Sequence, residues 1–315
     1  MKKDFLSVTD WTTKELLEVL KISRQMKANP KKFAKALAGK SVALIFEKQS
    51  LRTHVTFEIG AKQMGMNTTY LTNADISLGK RETIYDVAKN LERWVDAVVI
   101  RTYAQQNVVE LAQYGSHCVI NALTDHEHPC QAIGDFMTIQ EHLKTFKGRK
   151  FVWIGDGNNV CHSLMLLAAK LGMNFTAVTP PTHKPDTQVL VTAQVEAEKT
   201  GAIIELTHDP VAGATNADVL YTDVWISMGQ EAERETKMQA FRAYQINAEL
   251  MKRAKPTAIF MHCLPAHRGE EVTADVIDSP QSVVFDEAEN RLHSQKAILY
   301  YAIKNSGSKK KKSSR

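Results

Sequence analysis

The stretch Lys147-Gly148-Arg149-Lys150-Phe151-Val152-Trp153-Ile154 decides how this chain of 315 residues is divided. A polar break that contains a glycine precedes an apolar run typical of a buried strand. On both sides of the break, short β-rich runs alternate with helical patterns, which indicates βαβ units and parallel sheets. Because one core rarely extends through a chain of this length, we predict an α/β fold with two domains. Each domain is expected to be a mostly parallel sheet flanked by helices.

The predicted elements fall into one set on each side of the break, and a last helix follows them. Predicted strands before the break are Ser41–Glu47, Asn67–Leu71, Ala97–Arg101 and Cys118–Asn121, and the helices are Thr12–Lys27, Thr53–Met64, Thr83–Trp94 and Pro129–Lys144. Predicted strands after it are Phe151–Ile154, Asn174–Val178, Ile203–Thr207, Val219–Trp225, Ala258–Cys263 and Val283–Phe285, with a helix over Asp186–Lys199. The final helix, near Glu287–Ile303, has no strand after it, so we expect it to pack back on the first domain. The predicted divisions are 1–147, 148–287, the returning helix 288–304 and a disordered basic tail 305–315.

Composition and charge exclude several classes of protein. Hydrophobic residues make up 43% and charged residues 24% of the chain, as in ordinary globular proteins. Five of the 40 basic residues lie in the tail, and the remaining 35 equal the 35 acidic residues, so no nucleic-acid-binding face is predicted. No apolar run approaches the ~18 residues of a membrane span, and no signal peptide is visible. The four cysteines lack C-x-x-C spacing, which favours reduced thiols and a cytoplasmic location.

Polar residues follow several predicted strands, where open α/β folds bind their ligands. Ser50-Leu51-Arg52-Thr53 stands between a strand and a helix, so its backbone N–H groups and the helix dipole favour an anion. Arg52 adds a planar fork suited to phosphate oxygens, although a lone arginine near a helix start is usually a surface residue. Cys263 ends an apolar strand, and His262, Pro265 and His267 surround it in the sequence. A strand cysteine is often inert core, but polar neighbours of this kind favour a thiol that handles a proton.

The segment after the fourth strand reads Asp125-His126-Glu127-His128-Pro129-Cys130-Gln131. Pro129 suits the first helical position, and His128 and Gln131 are three residues apart on one side of the first turn. A neutral histidine and an amide are suitable donors to a carbonyl oxygen that gains charge, and Arg101 ends a strand of the same sheet. The alternative of a zinc site at the two histidines lacks a third ligand at useful spacing. No metal and no cofactor is predicted.

Two further loops belong to the second half. Gly155-Asp156-Gly157-Asn158-Asn159-Val160 invites a dinucleotide interpretation, but Val160 stands where a third glycine is needed. A tight turn whose Asn159 contacts a polar small molecule fits better. Asp223 ends another strand, and Ser227-Met228-Gly229 opens a polar segment that is either a lid over a ligand or an ordinary solvated loop.

Taken in order, these segments resemble the aspartate/ornithine carbamoyltransferase family over the whole chain except the basic tail. Its Phe-x-Lys-x-Ser-Thr-Arg-Thr-Arg stretch appears here as residues 46–54, and its His-Pro-x-Gln appears as His128 to Gln131. The Asp-x-x-x-Ser-Met-Gly and His-Cys-Leu-Pro-Ala elements match Asp223 to Gly229 and His262 to Ala266. The resemblance implies carbamoyl transfer from carbamoyl phosphate to the side-chain amine of L-ornithine, giving citrulline and phosphate, a step of arginine metabolism. It also implies a homotrimer or a multiple of trimers, with no nucleic acid or membrane partner.

The resemblance also implies a role for individual residues. The expected catalytic residues are Asp223, Cys263, Arg101 and His128. The expected substrate-binding residues are Ser50, Leu51, Arg52, Thr53, Ser77, Arg101, His128, Gln131, Asn159, Asp223, Ser227, Met228, Cys263, Leu264 and Arg291. Three positions depart from the family pattern, because Leu51, His54 and Ser77 replace a usual Thr, Arg and Gln. We expect retuned phosphate binding rather than its loss, and His54 could make it depend on pH.

Other functions remain open at this point. An aspartate-specific relative is expected to carry an arginine where Ala266 stands, to hold a second carboxylate. Putrescine lacks the α-amino and α-carboxylate groups that a Ser-Met-Gly lid would cover. A non-catalytic relative kept as a binding protein is a different class altogether, with Leu51 and His54 as signs of decay.

Overall fold

The computed structural model describes residues 2–79, 81–227, 229 and 231–306, and it contains two parallel sheets. The strands are β1 Ser41–Phe46, β2 Asn67–Thr72, β3 Ala97–Arg101, β4 Cys118–Leu123, β5 Lys150–Ile154, β6 Asn174–Val178, β7 Ile204–Thr207, β8 Val219–Thr222 and β9 Ile259–His262. The helices are α1 Thr13–Ala28, α2 Arg52–Gln63, α3 Asn73–Ile76, α4 Ile84–Trp94, α5 Gln105–Tyr114, α6 Pro129–Leu143, α7 Asn159–Leu171, α8 Thr187–Thr200, α9 Pro210–Ala214, α10 Arg234–Phe241, α11 Ala248–Met251, α12 Ala274–Ile277 and α13 Val284–Asn305. The predicted basic tail from residue 307 onward and Met228 of the predicted lid lie outside the described residues.

Local sequence accounts for where the main helices begin and end. Thr12 and Glu15 form a reciprocal capping box at the start of α1. Pro129 occupies the first position of α6, where a missing N–H costs nothing. The Asn158 side chain accepts from two backbone N–H groups of α7, and Gly172 ends that helix in the left-handed conformation. Helix α7 was not predicted from the sequence. It is buried and mostly apolar, and the glycine-rich turn before it indicates a loop rather than the start of a helix.

Strand order brings the predicted functional segments to the carboxyl edges of the two sheets. The first sheet has the order β2-β1-β3-β4 and the second β7-β6-β5-β8-β9. Phe46 pairs with Arg101 in register, so the loop after β1 begins beside the end of β3. Thr222 pairs with His262, so Asp223 and Cys263 follow neighbouring strands at the same level. Each sheet therefore gathers its polar residues at one edge.

The last helix packs back on the first domain, as predicted. Helix α13 lies against α1, α2 and α6, and its buried face includes Arg291 and Ala297. The predicted strand Val283–Phe285 is wrong, because the helix begins at Val284. Just before this segment, Ser282 forms an isolated bridge with Phe260 of β9. An acidic first turn, with Asp286 and Glu287, favours the helix start over a strand. Within the described part of the chain, no helix combines the length and apolarity needed to cross a membrane.

Candidate active site

The loop after β1 presents a helix N-terminus to the cleft. Helix α2 begins at Arg52, so the backbone N–H groups of its first turn have no partner within the helix. Thr53 is buried, and its Oγ1 accepts a hydrogen bond of 2.8 Å from Arg291 Nη2. Ser50 is half-buried. The side chain of Leu51 is 73% exposed, so this residue can offer the site its backbone but not its side chain.

Three arginines converge beside this helix start. Arg101 at the end of β3 and Arg291 on α13 are both buried, and Arg52 is half-buried. Burial, followed by the charges of Arg291 and Arg52, lowers the pKa of Arg101 to about 10. Among the described residues, the buried Nε atoms of Arg101 and Arg291 have no hydrogen-bond partner. Buried, mutually repelling cations with unused donors suit a dianionic ligand.

His128 stands at the start of α6 and faces the same three guanidinium groups. Burial, followed by the charges of Arg291, Arg101 and Arg52, lowers the pKa of His128 well below its ordinary value. The imidazole is therefore neutral at neutral pH. In the described structure its Nδ1 has no hydrogen-bond partner, so the ring keeps a free polar atom beside the arginine cluster.

Gln131 lies one turn further along α6, and its contacts define which way its amide points. Its Nε2 donates to Asp135 Oδ1 over 2.7 Å and to Glu287 Oε1 over 3.1 Å. Its Oε1 accepts from Nη1 of Arg291. The sequence reading treats Gln131 as a donor to a carbonyl oxygen. Because both amide hydrogens already serve carboxyl groups, the atom that Gln131 offers to the arginine side is an acceptor.

The second domain contributes a carboxylate and a thiol. Cys263 Sγ donates to Asp223 Oδ1 over 3.1 Å, and the same oxygen accepts from the Val224 N–H over 2.8 Å. Asn158 Nδ2 donates to Asp223 Oδ2 over 3.0 Å. Burial raises the pKa of Cys263 well above its ordinary value, and the charges of Asp223 and Glu287 raise it further. The thiol is therefore protonated at neutral pH.

The two sets of residues face each other across one cleft. Arg52 Nη2, from the first domain, donates to the backbone oxygen of Leu264, the residue after Cys263. Leu264 has a positive φ of 58°, so the chain leaves the extended conformation of β9 at this residue. The Arg52 guanidinium and the segment that contains the thiol are thus direct neighbours.

Several buried groups around the site were not among the predicted site residues. His262 Nδ1 accepts from the Leu264 N–H over 2.8 Å, and His262 Nε2 is 3.2 Å from Glu271 Oε1. Asp135 and Glu287 hold Gln131, as described above, and Asn158 holds Asp223. Charged residues that the fold buries look like surface residues in a single sequence. For the uncharged Asn158, its position next to the predicted Asn159 was the available signal.

Other predicted site residues make contacts elsewhere. Asn159 is half-buried, and its Nδ2 donates to the Thr124 oxygen of the first domain over 2.6 Å. Ser77 has a left-handed conformation after α3, and its hydroxyl donates to the Asn73 oxygen over 2.8 Å. His54 stacks on Tyr70 with ring centroids 3.8 Å apart. Ser227 is half-buried in the loop after β8.

Potential metal ligands converge at two places within the described ranges. Asp223, His262 and Cys263 bring ligand atoms within 4.8 Å of one another, and so do His267, Glu270 and Glu271. In the first group both ring nitrogens of His262 are already engaged. Neither group contains His126 or His128, the pair considered from the sequence. The donor set therefore suits proton handling better than a resident ion.

Two family models match this chain. Residues 3–141 match the carbamoyl-P binding domain of aspartate/ornithine carbamoyltransferases, and residues 147–302 match their Asp/Orn binding domain. The chain therefore belongs to the aspartate/ornithine carbamoyltransferase family.

Similar proteins within that family are ornithine carbamoyltransferases. One from Carboxydothermus hydrogenoformans is 52% identical over 94% of this chain and 96% of its own length. An anabolic one from Pyrococcus furiosus is 50% identical over 94% of this chain and 95% of its own. The solved structure of ornithine carbamoyltransferase from Pyrococcus furiosus superimposes with a TM-score of 0.94, at 48% identity, over 96% of this chain and 98% of that one.

Proposed function

We propose that this protein transfers the carbamoyl group of carbamoyl phosphate to the side-chain amine of L-ornithine, releasing L-citrulline and phosphate. The similarity to ornithine carbamoyltransferases supports this reaction. One observation carries it at the level of the site: Arg52 of the first domain contacts the backbone of Leu264, next to Cys263 of the second. An anion pocket and an amine pocket therefore border a single cleft.

The donor end of the cleft binds the phosphate. Ser50, Arg52, Thr53 and the free N–H groups at the start of α2 surround the phosphate oxygens. Helix dipole and guanidinium charge both stabilise the dianion, and they stabilise the departing phosphate in the same way.

The carbamoyl group lies beyond the phosphate, among Arg101, His128, Gln131 and Arg291. Neutral His128 and charged Arg101 donate to the carbonyl oxygen as it gains charge. Gln131 accepts from the carbamoyl NH₂ group, because its own amide hydrogens are held by two carboxyl groups. This site distinguishes the two ends of the carbamoyl group by opposite hydrogen-bonding character.

The acceptor end binds the ornithine side chain at Asp223 and Cys263. Asp223 has about four lone-pair sites, and three hydrogen bonds from protein groups use three of them. The remaining site accepts a hydrogen from the incoming amine. Of the two candidates for taking the amine proton, we favour Asp223, since the thiol retains its own proton. Once Asp223 has taken the ammonium proton, the amine nitrogen forms a bond to the carbamoyl carbon, and the bond from that carbon to the phosphate oxygen breaks. The proton that the nitrogen then releases goes to the departing phosphate.

The backbone of ornithine is expected to contact Asn159, Ser227, Met228 and Leu264, with the Ser227-Met228-Gly229 segment closing over it. Closure excludes water and limits hydrolysis of the donor. Ala266 offers no charge for a second carboxylate, which disfavours aspartate as the acceptor.

We further propose that the protein is a homotrimer or a multiple of trimers in the cytoplasm, acting in arginine metabolism. Leu51, just before α2, and Val55 and Ile59 on that helix form an apolar stripe, with exposed fractions of 73%, 44% and 43%. A stripe with this spacing on one helix face suits a contact with another subunit. All four cysteines are free, which suits a reducing compartment.

Product formation with three acceptors tests the reaction. We expect citrulline from ornithine and at most traces of carbamoylated product from aspartate or putrescine. A preference for either of the other acceptors would overturn the assignment. Folded protein that forms no product with any of them would favour the non-catalytic binding protein.

A further inference from the structure

Asp135 on α6 and Glu287 on α13 form a pair of fully buried carboxyl groups behind the carbamoyl site, with exposed fractions of 0% and 1%. The Gln131 amide nitrogen and the Tyr221 hydroxyl each lie within 3.3 Å of both carboxyl groups, so the two groups are close neighbours. Two buried carboxylates this close repel each other, which favours the protonated form of one of them. The arrangement therefore favours a pair that carries at least one proton.

Both domains and the returning helix hold this pair. The Tyr221 hydroxyl, on β8 of the second domain, lies 3.1 Å from Glu287 Oε1 and 3.3 Å from Asp135 Oδ2. The His262 backbone N–H donates to Glu287 Oε2 over 3.0 Å. Gly134 permits the close approach of α6 and α13, because a Cβ there would lie 3.0 Å from Arg291 Cδ. The pair is thus a junction of the three parts of the molecule that meet at the site.

We propose that Asp135 and Glu287 share a single proton and act as positioning residues, holding the Gln131 amide with its oxygen toward the carbamoyl group. With one shared proton, the remaining acceptor oxygens receive the Gln131 amide hydrogens and the Tyr221 hydroxyl. The reversed amide would set its oxygen against carboxylate oxygens and its NH₂ group against Arg291, which offers no acceptor. This inference rests on the assignment of the carbamoyl site proposed above.

The geometry predicts a dependence on pH. Burial raises the pKa of Asp135 to about 7, and burial with the charge of Asp135 raises that of Glu287 well above its ordinary value. Below about pH 7 the pair therefore takes up a second proton, and the Asp135 hydroxyl becomes a donor that permits the reversed amide. The charged or titratable side chains that interact with the pair are Arg291, Tyr221 and Cys263, and Asp223 acts in turn on Tyr221 and Cys263.

Steady-state kinetics of Asp135→Asn test the proposal, because asparagine keeps the shape but adds a donor. We expect the KM for carbamoyl phosphate to rise about three- to tenfold, as for the loss of one aligned hydrogen bond. The Ki of inorganic phosphate, which reports the Arg52 end of the cleft, should stay unchanged. In the parent protein the KM should rise further as the pH falls below about 7, and this additional rise should be absent from the variant. Titration of carbamoyl phosphate itself affects both proteins equally.

A second variant and a spectroscopic measurement keep the test decisive if Asp135→Asn folds poorly. Tyr221→Phe should raise the same KM by a smaller factor, with the Ki of phosphate again unchanged. Infrared difference spectra between each variant and the parent protein are recorded at mildly alkaline pH. Glu287→Gln should lose a component of the protonated carboxyl band, and the control Asp4→Asn should keep that component. An unchanged KM in the folded variants, a parallel rise of KM and Ki, or an unaltered band in Glu287→Gln would overturn the proposal. Failure of phosphate to compete with carbamoyl phosphate in the parent protein would instead refute the assignment of the phosphate site.

Discussion

At the scale of single residues, Arg52 connects the proposed phosphate pocket to Leu264 of the second domain. Arg52→Ala removes charged hydrogen bonds to phosphate, each worth about 1.5–3 kcal/mol, so we expect the KM for carbamoyl phosphate to rise roughly 10- to 100-fold. Steady-state kinetics at saturating ornithine measure it. Arg93→Ala, on a side chain 79% exposed and outside the site, is the matched control. Equal KM values for the two variants would contradict the placement of phosphate at α2.

Cys263 lies at the proposed acceptor end of the cleft. Cys263→Ala removes the thiol hydrogen bond that orients the Asp223 carboxylate. We expect a higher KM for ornithine and a lower kcat, together about tenfold or more in kcat/KM, with the KM for carbamoyl phosphate unchanged. Cys263→Ser keeps a donor at this position and should recover part of the loss. If the alanine variant uses ornithine normally, Cys263 has no role at the amine.

Residue types were more predictable than residue roles. Arginine, histidine and cysteine after strand ends are visible in the sequence, and the structure places Arg52, Arg101, His128, Gln131, Arg291, Asp223 and Cys263 around one cleft. The donor or acceptor role of Gln131 depends on Asp135 and Glu287, whose burial no sequence pattern indicates. The roles of the seven residues around the cleft as substrate contacts remain predictions.

At the scale of elements, helix α10 after the lid segment is tied to the turn between β5 and α7. Lys237 and Asp156 form an ion pair of 2.7 Å, with side chains 3% and 13% exposed. Lys237→Met leaves a buried carboxylate without this partner, which costs about 3–5 kcal/mol in comparable pairs. We expect urea denaturation to show a loss of that order.

The control for that variant is Lys252→Met, since Lys252 pairs with Glu249 on the surface, with side chains 69% and 80% exposed. The control should unfold at the parent's urea concentration, because exposed pairs contribute little. Similar unfolding midpoints for Lys237→Met and the control would show that α10 does not depend on Asp156.

Strongly patterned elements were predicted closely, and weakly patterned ones were not. Strands Ala97–Arg101 and Asn174–Val178 match the structure at both ends, since apolar runs between polar turns define them. The apolar pair Val283-Val284 was misread as part of a strand, because two apolar residues fit the first turn of a buried helix as well as a strand. The acidic residues Asp286 and Glu287, in the first turn, favour the helix.

At the scale of the whole molecule, the Asp135–Glu287 pair links stability to pH. The unfolded aspartate loses its proton near ~pH 4, whereas the folded one keeps it up to about 7. Its stabilisation is therefore fully present below ~pH 4 and is lost as the pH rises through about 7. We expect Asp135→Asn to flatten this decline in the free energy of unfolding, measured with urea across that pH range. An unchanged slope would show that Asp135 titrates normally.

Assembly provides a second prediction at this scale. Ile59→Asp introduces a charge into the apolar stripe at α2. We therefore expect light scattering to show that the molecular mass falls from three times the chain mass toward the mass of one chain. Val191→Asp, at a residue 45% exposed on the second domain, should leave the assembly intact. A parent protein that is monomeric and fully active would contradict the proposed trimer.

The α/β class, most strands and the order of polar segments along the chain can be read from the amino-acid sequence alone, and the division near residue 147 is a prediction from the same patterns. These features follow from local periodicity and turn chemistry, which act over a few residues. Only the tertiary structure decided that Arg291 meets Gln131 across 160 residues, that Asp135 and Glu287 lie side by side, and which way the Gln131 amide faces. The physical reason is that burial and hydrogen-bond pairing depend on how helix α13 returns to the first domain, and no local pattern encodes that distance.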